Sequence, residues 1–405
     1  MEKKGILLRW LAMLGPGIIT AALVFGPSKI TITTKLGAVY GYSLLWIVVV
    51  AIFFMVIFTN MGARIGMANK TSLLTTIREH WGSKIAIVIG IGIFLVATSF
   101  QAGNSIGVGI ALAEATGTSA KLWVVVFNVL GIVLLFFRGF YKTLEWLMIT
   151  LVGLMLFSFL TTLFFANPDL SEVAKGFVPS VPFGSEGLII AFMASCFSIV
   201  GAFYQSYLVQ ERRKVNPNGE FEKTKDSSVT GILILGIMSA IVLICAAAVL
   251  KPQGIQVTSA SEMAKALEPL FGVYAADLFL IGLFGASFSS LIGNATLGGT
   301  LLSDSLGYGS QLSGKVTRLL IGLVMVCGAS IAIMFGKLPL QLIVFAQSIT
   351  IFLVPFIGFS MYFIANKAKV MGEYKNTPTI RVFGAIGLLI LLGLACYNVY
   401  DMFIK

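Results

Sequence analysis

Charge is scarce in this chain, and the side chains that most often bind metal ions are scarcer still. Its 405 residues include one histidine, four cysteines and 17 acidic residues, against 28 lysines and arginines. Only 11% of the residues are charged and 58% are hydrophobic, whereas a soluble domain is about 45–50% apolar. This balance excludes a soluble globular domain and predicts an all-α integral membrane protein with many spans.

The shortage of histidine and cysteine excludes several kinds of site. The one histidine, His80, lies beside Trp81 in a predicted loop, which argues against a histidine-based metal centre. The cysteines lie inside apolar runs, where a free thiol behaves as a small hydrophobe and no disulfide framework is implied. No P-loop pattern is present, and no loop is long enough to hold a nucleotide-binding domain. We therefore expect neither an enzyme nor a bound cofactor.

Apolar runs long enough to cross a bilayer, about 18 residues or more, recur along the whole chain. The chain, residues 1–405, is therefore predicted to form a single transmembrane domain of about eleven spans. The spans are predicted at residues 11–36, 42–63, 85–112, 121–137, 143–166, 186–209, 228–250, 273–301, 317–336, 339–365 and 379–401.

Two of these spans are predicted to be broken, the first near residues 25–29 and the sixth near 198–202. Interrupted spans that lie five apart are typical of a five-plus-five inverted repeat. The repeats would cover residues 11–166 and 186–365, with 379–401 as an additional span.

The net charge of +11 does not indicate a nucleic-acid partner, because the basic residues flank the apolar runs. Most of them fall in cytoplasmic segments if the N-terminus lies in the cytoplasm, as the positive-inside rule requires. The lipid bilayer is thus the expected partner. We expect a multi-pass protein of the inner (plasma) membrane with its N-terminus cytoplasmic and its C-terminus external, and the sequence leaves the oligomeric state open.

Lys29 fits neither a loop nor a membrane edge, because it lies within the first predicted span. A charge at that depth costs about 2.5–3.5 kcal/mol on insertion scales, so such residues usually face a cavity or a pathway. Gly26 and Pro27 come just before it and predict a break in the helix. The segment from Ala194 to Phe203 contains several small residues, and it predicts the second break near residues 198–202. A transport site between the two breaks is the expected arrangement.

Four short segments of the scaffold point to a known family. They are residues 14–17 (LGPG), 41–46 (GYSLLW), 205–210 (QSYLVQ) and 371–376 (MGEYKN). Together they resemble segments of the Nramp family of proton-coupled divalent metal transporters. The resemblance implies a LeuT-like fold in which the substrate is held between broken spans 1 and 6.

The functional residues of that family are not retained. Its Asp-Pro-Gly-Asn motif falls on residues 26–29 (Gly-Pro-Ser-Lys), so the metal-binding Asp becomes Gly26 and the Asn becomes Lys29. Its Met-Pro-His motif falls on residues 198–200 (Ser-Ile-Val), so the thioether and the imidazole are both lost.

Two further spans also depart from the family pattern. The acidic residues that the family links to proton movement fall on Gln101 and Asn104 in span 3. A polar Gln of span 10 falls on Leu353, although Gln347 remains one to two turns away. The resemblance therefore implies the fold of a proton-coupled metal transporter without its charged ligands.

These departures lead to the expectation of an anionic substrate. A divalent cation about 4 Å from an ammonium is repelled by several kcal/mol even at an effective dielectric of about 20, whereas half-helix N-termini attract anions. We expect a small inorganic anion, with bicarbonate favoured, to move by alternating access without proton coupling. The expected substrate-binding residues are Gly26, Pro27, Ser28, Lys29, Ser198, Gly201 and Gln347, with Gln101 and Asn104 as a secondary polar pathway and no metal ligand.

Two other functions stay open. A divalent cation transporter for Mg²⁺ or Mn²⁺ would use carbonyls and hydroxyls, with Lys29 turned away. The other possibility is a non-transporting sensor or a channel that is built on the same scaffold. Lys29 also has a structural interpretation, in which its ammonium donates to carbonyls that the break leaves free.

Overall fold

The computed structural model describes residues 26–135, 138–197, 199–215, 222–334 and 340–403. Every regular element in these ranges is helical. A helix satisfies its backbone N–H and C=O groups within the segment, which is what a lipid environment demands of a spanning chain.

Seven helices occupy the described residues as far as the connection between spans 5 and 6. They are α1 (Pro27–Tyr40), α2 (Leu45–Ala68), α3 (Leu73–Trp81), α4 (Ser83–Thr116), α5 (Ala120–Leu134), α6 (Arg138–Phe165) and α7 (Leu170–Lys175).

The second half of the chain continues in the same way, with short 3₁₀ turns in its connections. Its helices in the described ranges are α8 (Glu186–Phe197), α9 (Ile199–Val215), α10 (Glu222–Val249), α11 (Ala260–Ala264), α12 (Glu268–Phe271), α13 (Ala275–Ser305), α14 (Lys315–Met334), α15 (Leu340–Thr350), α16 (Val354–Asn366), α17 (Ala368–Met371) and α18 (Pro378–Phe403).

The helices account for the predicted spans. Seven segments of the described chain are long and apolar enough to cross a membrane, and α15 and α16 together form an eighth. Shorter apolar helices lie at Ala120–Leu134 and Gly153–Phe165, and α1 lies in the first predicted span. A helix thus lies in each of the eleven predicted spans.

The structure differs from the sequence prediction in two places. The tenth span was predicted as continuous over 339–365, but α15 and α16 meet at an angle of 41° across residues 351–353. Pro355 lies in the first turn of α16, where its missing N–H costs no helical hydrogen bond. The predicted loop after span 2 contains α3, whose N-cap Ser72 accepts a hydrogen bond from the Thr75 backbone N–H.

Hydrogen bonds from side chains to backbone carbonyls join the connections between helices at two opposite faces of the bundle. At the α3 face, Arg64 Nε donates to the Tyr374 carbonyl at 2.8 Å and Arg78 donates to the Asp304 carbonyl at 3.1 Å. At the opposite face, Trp46 Nε1 donates to the Ser180 carbonyl at 2.9 Å. The segments that the charge pattern assigns to one side of the membrane therefore do lie together.

Candidate functional site

A break in the first span is predicted near residues 25–29, and the described chain begins there, at Gly26. Residues 1–25 lie outside the described residues, so the structure shows only the side of the predicted break that follows Gly26. Gly26 is extended, with φ −78° and ψ 177°, and Pro27 opens α1 with no N–H left unpaired. The Gly26 carbonyl accepts from the Lys29 N–H at 3.1 Å and from the Ile30 N–H at 3.4 Å. Both Gly26 and Pro27 are buried.

Gly26 is held by close contact with two other helices. A Cβ atom built on Gly26 would lie 2.7 Å from Ser290 Oγ of α13 and 3.5 Å from Asn104 Oδ1 of α4. A carboxylate side chain, such as the family motif has at this position, would therefore displace Ser290. The family motif has an acidic residue where this chain has Gly26, and α13 occupies the space that such a side chain would need.

Ser28 contacts a predicted site residue that is more than 300 positions away in sequence. Gln347 Nε2 of α15 donates to Ser28 Oγ at 2.8 Å. Both side chains are buried, at 6% exposure for Ser28 and 3% for Gln347. Gln347 Oε1 is buried with no donor. An unpaired amide oxygen therefore lies beside the break.

Lys29 is buried without a hydrogen bond from its side chain. Its side chain is 3% exposed, and its Nζ is buried without a hydrogen-bond partner. The ionisable group that it interacts with is the Cys196 thiol of α8. The salt bridge found in the described part of the chain joins Lys175 to Glu172, far from this site. Lys29 thus neither pairs with a carboxylate there nor donates to a freed carbonyl.

The two residues of the predicted polar pathway lie in different surroundings. Asn104 adjoins Gly26 and so belongs to the break itself. Gln101 is fully buried, and its Oε1 accepts from Asn294 Nδ2 of α13 at 3.4 Å while its Nε2 has no partner. A Cβ on Gly328 of α14 would lie 2.6 Å from the Gln101 Cβ. Gln101 is therefore packed among α4, α13 and α14.

The second predicted break is described only on its flanks. Ser198 lies outside the described residues, between α8 and α9. Gly201 lies in the first turn of α9 and is half-buried. Leu353, which replaces the family's polar residue, caps α16 at the bend of the tenth span.

Sequence reasoning missed the contribution of α13. Ser287, Ser290 and Asn294 are spaced three and four residues apart and therefore share one helix face. Ser287 Oγ lies close to Gly107 and Ser290 Oγ lies close to Gly26. Polar residues at this spacing in an apolar span were the available signal, since side chains of this kind form hydrogen bonds between membrane helices.

The break is thus lined by neutral oxygen atoms. They belong to Ser28, Asn104, Ser290 and Gln347, which come from four different helices. No group of three or more His, Cys, Asp or Glu side chains that could hold a metal ion occurs in the described ranges. Hydroxyl and amide oxygens are hard ligands, which suit Mg²⁺, Ca²⁺ or Mn²⁺ rather than soft metals.

These features define a helical membrane protein with a buried polar site at the start of α1. The model of the family described as natural resistance-associated macrophage protein-like (Nramp) matches residues 17–401. The chain therefore belongs to the Nramp family, and it is not an enzyme.

Two curated relatives have the same name, divalent metal cation transporter MntH. The protein from Deinococcus radiodurans is 26% identical over 404 residues, which cover 97% of this chain and 91% of the relative. The protein from Yersinia pestis is 24% identical over 400 residues, which cover 96% of this chain and 94% of the relative.

Solved structures confirm the fold. A mutant of the Eremococcus coleocola manganese transporter matches with a TM-score of 0.80 at 20% identity, covering 99% of this chain and 88% of that one. Mhp1, a nucleobase-cation-symport-1 family transporter, matches with a TM-score of 0.60 at 16% identity, covering 96% and 93%. The predicted LeuT-like fold is confirmed.

The expectation of an anionic substrate is wrong. The matching relatives are named divalent metal cation transporters, which contradicts bicarbonate, or any small inorganic anion, as the transported partner. The physical reason lies in the position of Lys29. The charge argument placed its ammonium in the same gap as Ser28, whereas Ser28 contacts α15 and Lys29 interacts with Cys196 of α8.

The contact between Gly26 and Ser290 leads to a stability prediction. Gly26→Ala should lower the melting temperature of the purified protein, because overpacking typically costs about 1–3 kcal/mol. Gly393→Ala is the matched control, since a Cβ at Gly393 meets no atom within 4 Å. Adding Ser290→Ala to Gly26→Ala should restore part of the loss. Equal melting temperatures for the Gly26 and Gly393 variants would contradict the contact.

Proposed function

We propose that the chain is a secondary transporter that moves a divalent metal cation across the plasma membrane through the break in the first span. The observation that carries the proposal is the buried, unpaired Gln347 Oε1, which lies beside Ser28 at the break. An unpaired buried polar atom is costly and usually has a function or an unseen partner. Membership of a family whose matched relatives are named metal transporters supports a cation as that partner.

The proposed ligands are oxygen atoms on both sides of the break. Ser28 Oγ and Gln347 Oε1 would act from α1 and α15, and Asn104 Oδ1 and Ser290 Oγ from α4 and α13. Gly26 and Pro27 would set the backbone conformation, and Ser198 and Gly201 would contribute from the second break. With neutral ligands alone, an ion keeps part of its hydration shell, as Mg²⁺ does in many sites. We infer Mg²⁺ or Mn²⁺ as the substrate class.

Lys29 would set the affinity of the site rather than bind the ion. Coulomb repulsion between an ammonium and a divalent ion about 10 Å away, at an effective dielectric of about 20, still costs about 3.3 kcal/mol. An ammonium nearby therefore weakens cation binding and favours release. Alternating access would follow from hinging of spans 1 and 6 around this site, one span from each of the repeats at residues 11–166 and 186–365, with 379–401 outside the repeats.

The first test is metal flux into proteoliposomes that contain a fluorophore sensitive to Mn²⁺ or Mg²⁺. The purified chain should transport at least one of these ions, and Gln347→Ala should reduce kcat/KM by about ten-fold, the loss expected for one good ligand contact. Gln253→Ala is the matched control, because Gln253 is exposed in a connection. Absence of flux for either ion would contradict the proposal, and binding without flux would indicate a sensor instead.

A second prediction concerns the charge at Lys29. Lys29→Met removes the ammonium at similar volume, so KM for the metal should fall by at least about ten-fold, since the repulsion of a divalent ion is more than twice the 1.4 kcal/mol that corresponds to that factor. Lys35→Met on the same helix is the control and should leave KM nearly unchanged, because Lys35 is farther from the break and interacts with Glu262. A higher KM in Lys29→Met would show that Lys29 contacts the substrate favourably.

We propose that the α3 face is cytoplasmic. The basic residues of the connections at this face support that orientation through the positive-inside rule, and it leaves the N-terminus cytoplasmic and the C-terminus external. Alkaline phosphatase fused to the C-terminus should be active and green fluorescent protein fused there should be dark. The opposite pair of signals would reverse the assignment.

A further inference from the structure

Three elements meet at one buried carboxylate on the α3 face. Asp304 lies in the last turn of α13 and is 4% exposed. Tyr207 of α9 is equally buried, and Ser72 is the N-cap of α3. None of these residues takes part in the proposed site at the break.

A single oxygen of Asp304 joins the three elements. Its Oδ2 accepts from Tyr207 Oη at 2.5 Å and from Ser72 Oγ at 2.5 Å. The Leu74 N–H of α3 donates to Tyr207 Oη at 3.3 Å. Hydrogen bonds to an ionised acceptor are short and about twice as strong as neutral ones. The Tyr207 hydroxyl is thus held from two directions.

The Asp304 carboxylate is held by hydroxyl donors rather than by a salt bridge in the described residues. Arg78 is close, but it donates to the backbone carbonyls of Asp304 and Ser305. Arg78 therefore fastens α3 to the end of α13 and leaves the carboxylate oxygen to Tyr207 and Ser72.

Close contacts at glycines join the helices around this carboxylate into two groups, which touch each other where Gly107 of α4 lies against Pro27 of α1. In the first helix group, α2 meets α9 where Gly62 and Gly66 lie against the carbonyls of Ala202 and Ser206, and α1 meets α10 at Gly37. Larger residues would not fit at these glycines, so these helices are joined as one body.

The second helix group is built in the same way. Helix α13 meets α4 and α14 where Gly298 and Gly299 lie against Ala97 and Ile321, and α5 packs on α4 and α14. Arg78 and Ser72 attach α3 to this group through Asp304. The bond from Tyr207 to Asp304 therefore runs from the first helix group to the second.

We propose that Tyr207 and Asp304 form a latch that closes the α3 face and must open for substrate to pass there. Helix α9, which is the part of span 6 after residue 198, carries the movable hydroxyl. Asp304 is the hydrogen-bond acceptor and stays in place, because Ser72 and Arg78 still contact it when α9 moves away. The latch does not depend on the nature of the transported ion.

The test measures how often the α3 face opens. Ser305 adjoins Asp304 and is fully buried, so a cysteine placed there in a variant without the native cysteines reports opening through its reaction with a methanethiosulfonate reagent. Tyr207→Phe removes only the hydroxyl and should raise the labelling rate by about ten-fold. Asp304→Asn, which keeps a weaker neutral acceptor, should give a smaller rise.

Tyr362→Phe is the matched control. Its hydroxyl donates to the Arg381 carbonyl at 3.0 Å on the same face, within the α16–α18 pair, so its loss should leave labelling at Ser305→Cys unchanged. A lower melting temperature in Tyr207→Phe with unchanged labelling would overturn the latch and leave a purely structural contact. If Tyr207→Phe does not fold, unchanged labelling in Asp304→Asn would overturn it equally. Because labelling needs no metal, a failed latch is distinguishable from a failed transport assay.

Discussion

The architecture of the site depends on how α1 begins at Gly26 and Pro27. A backbone group without a partner costs several kcal/mol in lipid, so a break persists only where protein surrounds it. Here Ser290 approaches so closely that a side chain at Gly26 would have to displace it, and Pro27 starts α1 without an N–H to satisfy. The contact that permits the break also brings the oxygen atoms of α4 and α13 to it.

The buried ammonium of Lys29 is the second constraint. It lies in a span with no carboxylate paired to it in the described residues, and its Nζ makes no hydrogen bond. Burial of an unpaired charge lowers the free energy of unfolding, so packing alone does not explain a lysine at this position. Helical geometry separates it from Ser28 by about 100°, since adjacent residues project in different directions around the axis. One turn of α1 can therefore hold both a hydroxyl for a cation and an ammonium that weakens its binding.

The sequence predicts the helical class, a helix in each of the eleven predicted spans, the start of α1 at Gly26-Pro27 and the burial of Lys29, because these follow from hydropathy and from two residues that disrupt helices. It also predicts that Ser28 and Gln347 belong to one site, although only through the family resemblance. The bend between α15 and α16 and the polar face of α13 were missed, since Pro355 and Ser290 have many uses in membrane helices. The substrate was wrongly predicted because the sequence shows the charge of Lys29 but does not show which groups surround its side chain.

The site and the α3 face are connected through the same two helix groups. Gly26 and Ser28 belong to α1 in the first group, and their neighbours Asn104 and Ser290 belong to α4 and α13 in the second. Tyr207 and Asp304 bridge the same groups at the α3 face. Packed helices move as bodies because their interiors are close-packed and resist deformation. A displacement that separates the groups at the α3 face must therefore also change the spacing of the oxygen atoms near Gly26. Opening of the α3 face and loss of the proposed ligand contacts would then occur in one movement.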